Sequence, residues 1–252
     1  MGSITLFFRG DLCDLLTRRP EAGEVCYPLT RRASLKDIIE AQGIPHPEIK
    51  ALLVNGAEVD FSYLPVANDR IEVLPLTPVV DVLTATRLRP EPLPAIAFAV
   101  DVNIAKLAPL LRMVGMDCWY ENNVSDLSLA RLAREQRRIL LTRDTQLLKR
   151  NQVIHGHLVR SQNPEEQLRE VINLYGLRPR LNPFSRCMNC NGELTETSKE
   201  NIYHHLETLT KKYYHSFHQC RGCGKIYWAG SHRQRMEKKI SAILADNPVF
   251  SG

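Results

Sequence analysis

Arg138-Ile-Leu-Leu-Thr-Arg-Asp-Thr-Gln-Leu-Leu-Lys149 is the stretch whose reading decides the fold. Its first five residues, with Ile139-Leu-Leu at their centre, have strand length, and Gln146–Lys149 is a short helix, so strand passes to helix through a polar turn. The same handover recurs between residues 95 and 176. Further strands are expected at Ile96-Ala-Phe-Ala-Val, Asp117-Cys-Trp-Tyr and His157-Leu-Val, with helices over 104–114, 127–136 and 165–175. Leu107, Leu110, Leu111 and Val114 fall at the spacing of a buried helix face. Pro109 interrupts that pattern and predicts a kink or a break. Strand–helix alternation over this length implies α/β architecture with a parallel sheet.

Parallel strands end at one edge of their sheet, where α/β proteins bind ligands. Asp101 follows the first strand, Asp126 the second and Asp144 the third. Asp117 begins a strand and belongs to the other edge. Each of the three also precedes a helix, where Asp is a favoured N-cap contributing about 1 kcal/mol. Taken together, three carboxylates in one crevice repel unless a hard cation such as Mg²⁺ or Mn²⁺ sits among them. Arg143, between Thr142 and Asp144, is placed either to clamp a phosphate or to pair with a carboxylate. Arg112 carries the same two readings.

The flanks differ in character. Residues 1–77 read as strand, strand, helix, strand, strand, the order of a β-grasp fold. Ser34 is the expected N-cap and Gly43 the stop of the helix, and turns are marked by Asn55-Gly56 and Asn68-Asp69. Pro78, Pro90, Pro92 and Pro94 make 78–94 a semi-rigid linker, and 95–177 carries the alternating pattern. In 178–252, Cys187-Met-Asn-Cys190 and Cys220-Arg-Gly-Cys223 stand 29 residues apart. Two such pairs supply four thiolates for structural Zn²⁺. Asn191-Gly192 and Gly224 tolerate the positive φ that turns amides towards sulfur. Cys13, Cys26 and Cys118 lack partner spacing and read as core residues.

Twelve of the 33 Lys and Arg, but only six of the 28 Asp and Glu, lie from Arg178 onward. The net charge of +5 is therefore concentrated in the last third, which suits a polyanionic partner. Tyr213, Tyr214, Phe217, Tyr227 and Trp228 interleave there with Lys211, Lys212, Arg221 and Lys225. Such a mixture can stack unpaired bases and meet phosphates, although a small ribbon needs about half of these aromatics for its own core. His232, Arg233, Arg235, Lys238 and Lys239 add a cationic face to a helix expected over 231–244. No run approaches the ~20 apolar residues of a membrane span, and the first ten residues are too short in apolar content for a secretory signal. A cytoplasmic protein without a membrane role is the expectation.

Phe98-Ala-Val-Asp-Val-Asn, Leu107–Asp117, Ser125-Asp-Leu-Ser-Leu-Ala and Ile139–Leu148 together resemble the Mut-seven C-terminal ribonuclease domain. The two cysteine pairs match the zinc ribbon of that family, and the N-terminal module matches its ubiquitin-like extension. The resemblance implies a PIN-like nuclease fold, preceded by a β-grasp domain and followed by a zinc ribbon. Its acidic motif residues fall on Asp101, Asp126 and Asp144, with Asn103 as the small polar residue two after the first. It leaves the fourth carboxylate of many PIN nucleases unassigned, with Glu121 and Glu135 as the available positions. Leu53–Asp60 and Asn68–Leu76 also resemble ubiquitin-like sulfur carriers, but their free Gly-Gly terminus is missing, so this part reads as a docking module for a protein partner.

The implied function is a metal-dependent ribonuclease. Asp101, Asp126 and Asp144 would hold Mg²⁺ or Mn²⁺, Arg143 would steady a phosphate, and Zn²⁺ on Cys187, Cys190, Cys220 and Cys223 would be structural. The substrate would be an RNA with single-stranded ends, such as a tRNA. The alternative is an RNA-binding adaptor whose acidic crevice is catalytically idle, using the ribbon and basic tail alone.

Overall fold

A computed structural model describes residues 2–18, 20 and 23–245; residues 246–252 of the expected C-terminal module lie outside the described residues. In chain order the elements begin with β1 (Ser3–Phe8), β2 (Glu24–Pro28), α1 (Leu35–Ala41), β3 (Ile49–Val54), β4 (Ala57–Val59) and β5 (Arg70–Pro75). Then come β6 (Ala97–Val100), α2 (Leu107–Met113), β7 (Asp117–Trp119), α3 (Asp126–Glu135), β8 (Ile139–Thr142), α4 (Thr145–Leu148), β9 (Gly156–Leu158) and α5 (Pro164–Leu174). The last third holds β10 (Leu194–Thr197), α6 (Lys199–Ile202), α7 (Thr208–Tyr213), β11 (Phe217–Cys220), β12 (Ile226–Trp228) and α8 (Ser231–Ala245). Two compact units result, one of residues 1–103 and 121–159, the other of 104–120 and 160–252.

The first unit contains a five-stranded sheet in the order β2-β1-β5-β3-β4, with β1 and β5 parallel at its centre. Alternation in β1 and β5 sends Ile4, Leu6, Phe8, Ile71 and Val73 inward, where Leu35, Ile38 and Ile39 of α1 complete a core. The Ser34 hydroxyl accepts the Asp37 amide, and Gly43 stands at φ 109°, so the start and stop signals of α1 act as their chemistry requires. Asn55 and Gly56 both take positive φ in the β3–β4 turn. Cys26 is exposed on β2, contrary to its reading as a core residue: alternation along the strand turns Val25 and Tyr27 towards the core and Cys26 to the other face.

The same unit holds the parallel strands β6, β8 and β9, packed with α3 and α4. Residues 78–94 do not behave as a spacer. Val82, Leu88 and Leu93 are buried, and the Arg89 guanidinium donates to the Pro47, Ile49 and Ile154 carbonyls. Glu48, buried just before β3, accepts the Leu158 amide at 2.7 Å and pairs with His157 Nδ1 at 3.1 Å. His46 bridges the Glu40 carboxylate and the Val153 carbonyl. The β-grasp sheet is thus bonded directly to the β9 segment. Burial beside the Arg89 cation pushes the His155 imidazole down to about 4.

In the second unit, Pro109 neither kinks nor breaks α2. The helix starts at Leu107, so Pro109 lies in the first turn, where the amide it lacks would have no intrahelical acceptor. The ribbon is an antiparallel sheet in the order β10-β11-β12, with Phe217, Ile202 and Leu206 at its core. No helix among the described residues is long and apolar enough to cross a membrane.

Candidate functional site

β6 and β8 run parallel as neighbours, pairing Val100 with Leu141, so Asp101 and Thr142 leave the sheet at the same end. The Asp101 amide donates to the Leu141 carbonyl at 3.0 Å, which fixes the aspartate on that rim. Its carboxylate is nearly buried, 6% exposed, and Oδ2 accepts the Thr142 hydroxyl at 2.6 Å. The same hydroxyl accepts the Asp144 amide at 2.9 Å and the Asn103 side-chain amide at 3.2 Å. Asn103 Oδ1 in turn accepts the Arg143 amide at 3.3 Å. One buried hydroxyl therefore ties together Asp101, Asn103 and the backbone of Asp144.

Asp144 is the N-cap of α4, its Oδ1 accepting the Gln146 amide at 2.7 Å. The capping role and a place on the rim coincide in one residue. Asp126 behaves differently. It is the first residue of α3, but Ser125 makes the cap, and Asp126 Oδ2 lies 3.6 Å from the Arg150 guanidinium. Its side chain is 49% exposed. Of the three expected aspartates, two meet through Thr142, while the third is oriented by a cation. Arg143 is exposed beside Asp144. Glu121 and Glu135 are both exposed, and no contact draws either to this rim.

Thr142 is the participant that sequence reasoning missed. Its signal was a polar residue closing an otherwise apolar strand, two before an aspartate. Arg150 was missed as well, because an ion pair 24 positions away leaves no local pattern.

Among the described residues, the set of three or more candidate ligands with atoms inside 4.8 Å of one another is Cys187, Cys190, Cys220 and Cys223. Sγ···Sγ distances are 3.7 Å for Cys187–Cys223 and 3.3 Å for Cys190–Cys220. Four thiolates at about 2.3 Å from a tetrahedral zinc would lie roughly 3.8 Å apart, so the donor set fits Zn²⁺. Positive φ occurs at Asn191 and Gly224, as the knuckle turns demand. Gly192 serves a different need: a Cβ there would stand 2.9 Å from Cys220 Sγ.

Arg112 takes neither of its expected roles. Buried, it donates to the carbonyls of Cys118, Met188 and Asn189, holding the first knuckle against β7. Asn191 reinforces this by accepting the Cys118 amide and donating to Asp117. On α8, Lys239 pairs with Glu165 and Arg233 with Glu237, while Arg235 and Lys238 are exposed. Phe217 is wholly buried, whereas Tyr213 and Trp228 are exposed.

With this geometry in place, comparison with family models is decisive. The Mut7-C RNAse domain model matches residues 96–240, and the Mut7-C ubiquitin model matches residues 1–81. The chain belongs to the Mut7-C RNAse domain family. Searches of curated proteins and of solved structures returned no match. Within the Mut7-C match fall Asp101, Asp126, Thr142, Asp144 and all four clustered cysteines.

Proposed function

We propose that this Mut7-C protein is a metal-dependent ribonuclease that hydrolyses RNA phosphodiester bonds at the rim formed by β6 and β8. The observation that carries the reading is the Asp101–Thr142–Asp144 connection at the C-terminal ends of two adjacent parallel strands. Hard oxygen donors in this arrangement suit Mg²⁺ or Mn²⁺, which commonly rests on one or two carboxylates and completes its shell with water and substrate phosphate. A divalent ion held there would acidify a water molecule and offset charge on the phosphate under attack.

The residues of the chain divide the remaining work. Asp101 and Asp144 hold the cation, and Thr142 with Asn103 fixes the direction in which the Asp101 carboxylate points. Asp126, paired with Arg150, would be the further anionic ligand available to such an ion. Arg143 meets a phosphate oxygen of the bound strand. Zn²⁺ on the four cysteines keeps the ribbon folded, and the ribbon with α8 grips the RNA. The ubiquitin-like module engages a protein partner.

End-labelled single-stranded RNA incubated with the full chain and Mn²⁺ should be cut. Chelation of Mn²⁺ and the substitution Asp144→Asn should each reduce the rate at least about hundred-fold, the scale expected when electrostatic stabilisation is removed. Equal rates for parent and variant would remove the assignment.

A further inference from the structure

Between the ribbon sheet and the start of α8 lies a cleft of 330 Å³, formed entirely by residues of the second unit. Its size is at the small end of the ~300–1,000 Å³ typical of small-ligand sites. One wall is aromatic: the Tyr214 and Trp228 ring centroids are 6.3 Å apart with planes at 50°, and Trp228 is 37% exposed. Ile226, Leu194, Met188 and Met236 complete the apolar lining. Gly230 passes beneath the indole, where a Cβ would stand 3.0 Å from Trp228 Nε1.

The charged part of the lining has one sign. Arg186, Lys225 and Arg233 border the cleft together with His218 and His232, and no carboxylate lines it. The Arg233 guanidinium lies 4.8 Å from the Phe184 ring centroid, held by Glu237 through Nε at 3.0 Å. Lys225 Nζ stands 5.8 Å from the Tyr227 ring centroid. A flat apolar body carrying a negative group satisfies both halves of this lining. Arg186 pairs with Asp117 at 3.8 Å and Arg233 with Glu237, so the choice of occupant turns on Lys225: a purely apolar peptide would offer it no negative group, and an acidic peptide would leave the aromatic wall unfilled.

We infer that this cleft seats one unpaired nucleotide of single-stranded RNA, with the base against Tyr214 and Trp228 and the phosphate at Lys225 and Arg233. The inference rests on the ribonuclease reading for its substrate class and adds where a strand is held. Stacking on an aromatic wall tolerates any base, so the seat selects for single strands rather than for sequence.

The test uses the zinc-loaded full chain carrying Asp144→Asn, so that RNA survives the measurement. Anisotropy of fluorescein-labelled octauridylate reports binding; a twelve-base-pair RNA duplex and octaglutamate are the comparison probes. Trp228→Ala should weaken octauridylate about ten-fold or more, Trp228→Phe should retain affinity within about three-fold, and the duplex should bind weakly and respond to neither. Should Trp228→Ala release zinc, Met236→Glu places a carboxylate in the cleft from α8 and should produce the same loss. Octauridylate affinity unchanged by Trp228→Ala and Met236→Glu, or octaglutamate binding that falls with them, would overturn the seat. Cleavage by chains with native Asp144 is read separately: cutting that persists without the seat refutes only this inference, and binding without cutting refutes only the ribonuclease reading.

Discussion

Replacing Thr142 with Val keeps the side-chain shape and removes the hydroxyl on which the rim converges. Three contacts disappear, to the Asp101 carboxylate, the Asp144 amide and the Asn103 side chain. A hydrogen bond to a charged group contributes about 1.5–3 kcal/mol, and leaving an amide without its acceptor costs at least about 1 kcal/mol more. Thr142 is fully buried, so water cannot take the place of the hydroxyl without rearrangement. The sum is about 3 kcal/mol, or roughly hundred-fold in the local opening equilibrium. Native-state hydrogen exchange at the Asp101 amide, which bonds the Leu141 carbonyl, reads this directly. Mn²⁺ affinity measured in parallel should fall about ten- to hundred-fold, the usual consequence of removing a group that orients a metal ligand. Thr142→Ser, which restores the hydroxyl, should recover most of both. Exchange within about two-fold of the parent, with Mn²⁺ affinity unchanged, would refute the claim that this hydroxyl organises the site.

His155 makes stability depend on pH. Its imidazole is held down at about 4 by burial and by Arg89, against an ordinary value of 6.5, so the unfolded chain takes the proton first. Its contribution is complete above pH 6.5 and is lost as pH falls towards 4, up to about 3 kcal/mol in all. In urea titrations at pH 7.5 and 4.5, His155→Phe should therefore gain relative to the parent on acidification; parallel losses would contradict this. Arg112→Met should leave the Met188 and Asn189 carbonyls without their donor and speed zinc release to a chelator by about ten-fold or more, monitored by absorbance of a zinc dye. An unchanged release rate would show that the first knuckle does not depend on Arg112.

Periodicity made much of the fold legible. The apolar runs of β6 and β8 could pack only in a sheet buried on both faces, and Ser34 and Gly43 bound α1 by local chemistry. Cysteine spacing likewise announced the ribbon site, since two close pairs need only one sheet to bring them together. Pro109 misled because its effect depends on helix register, and the turn over 102–104 delays the start of α2. The stretch 78–94 read as a spacer because its buried anchors, Val82, Leu88 and Leu93, follow no period. Arg112 looked like a surface cation; only tertiary structure supplies the three carbonyls that make its burial tolerable. At the rim, Asp144 was legible from its place after a strand. The pairing of Asp126 with Arg150 was not, because its partner comes from beyond α4, 24 positions away.

The central claim is that a cation held by Asp101 and Asp144 touches the phosphate being cut. Sulfur in place of one non-bridging oxygen tests this contact, because Mg²⁺ binds sulfur poorly while softer ions accept it. Cleavage rates of stereopure phosphorothioate RNA should fall sharply in Mg²⁺ for one diastereomer and recover when Mn²⁺ or Cd²⁺ is added, with no recovery in Asp101→Asn. Equal rates for oxygen and sulfur substrates in Mg²⁺ would contradict the account, as would a sulfur effect that no softer ion relieves.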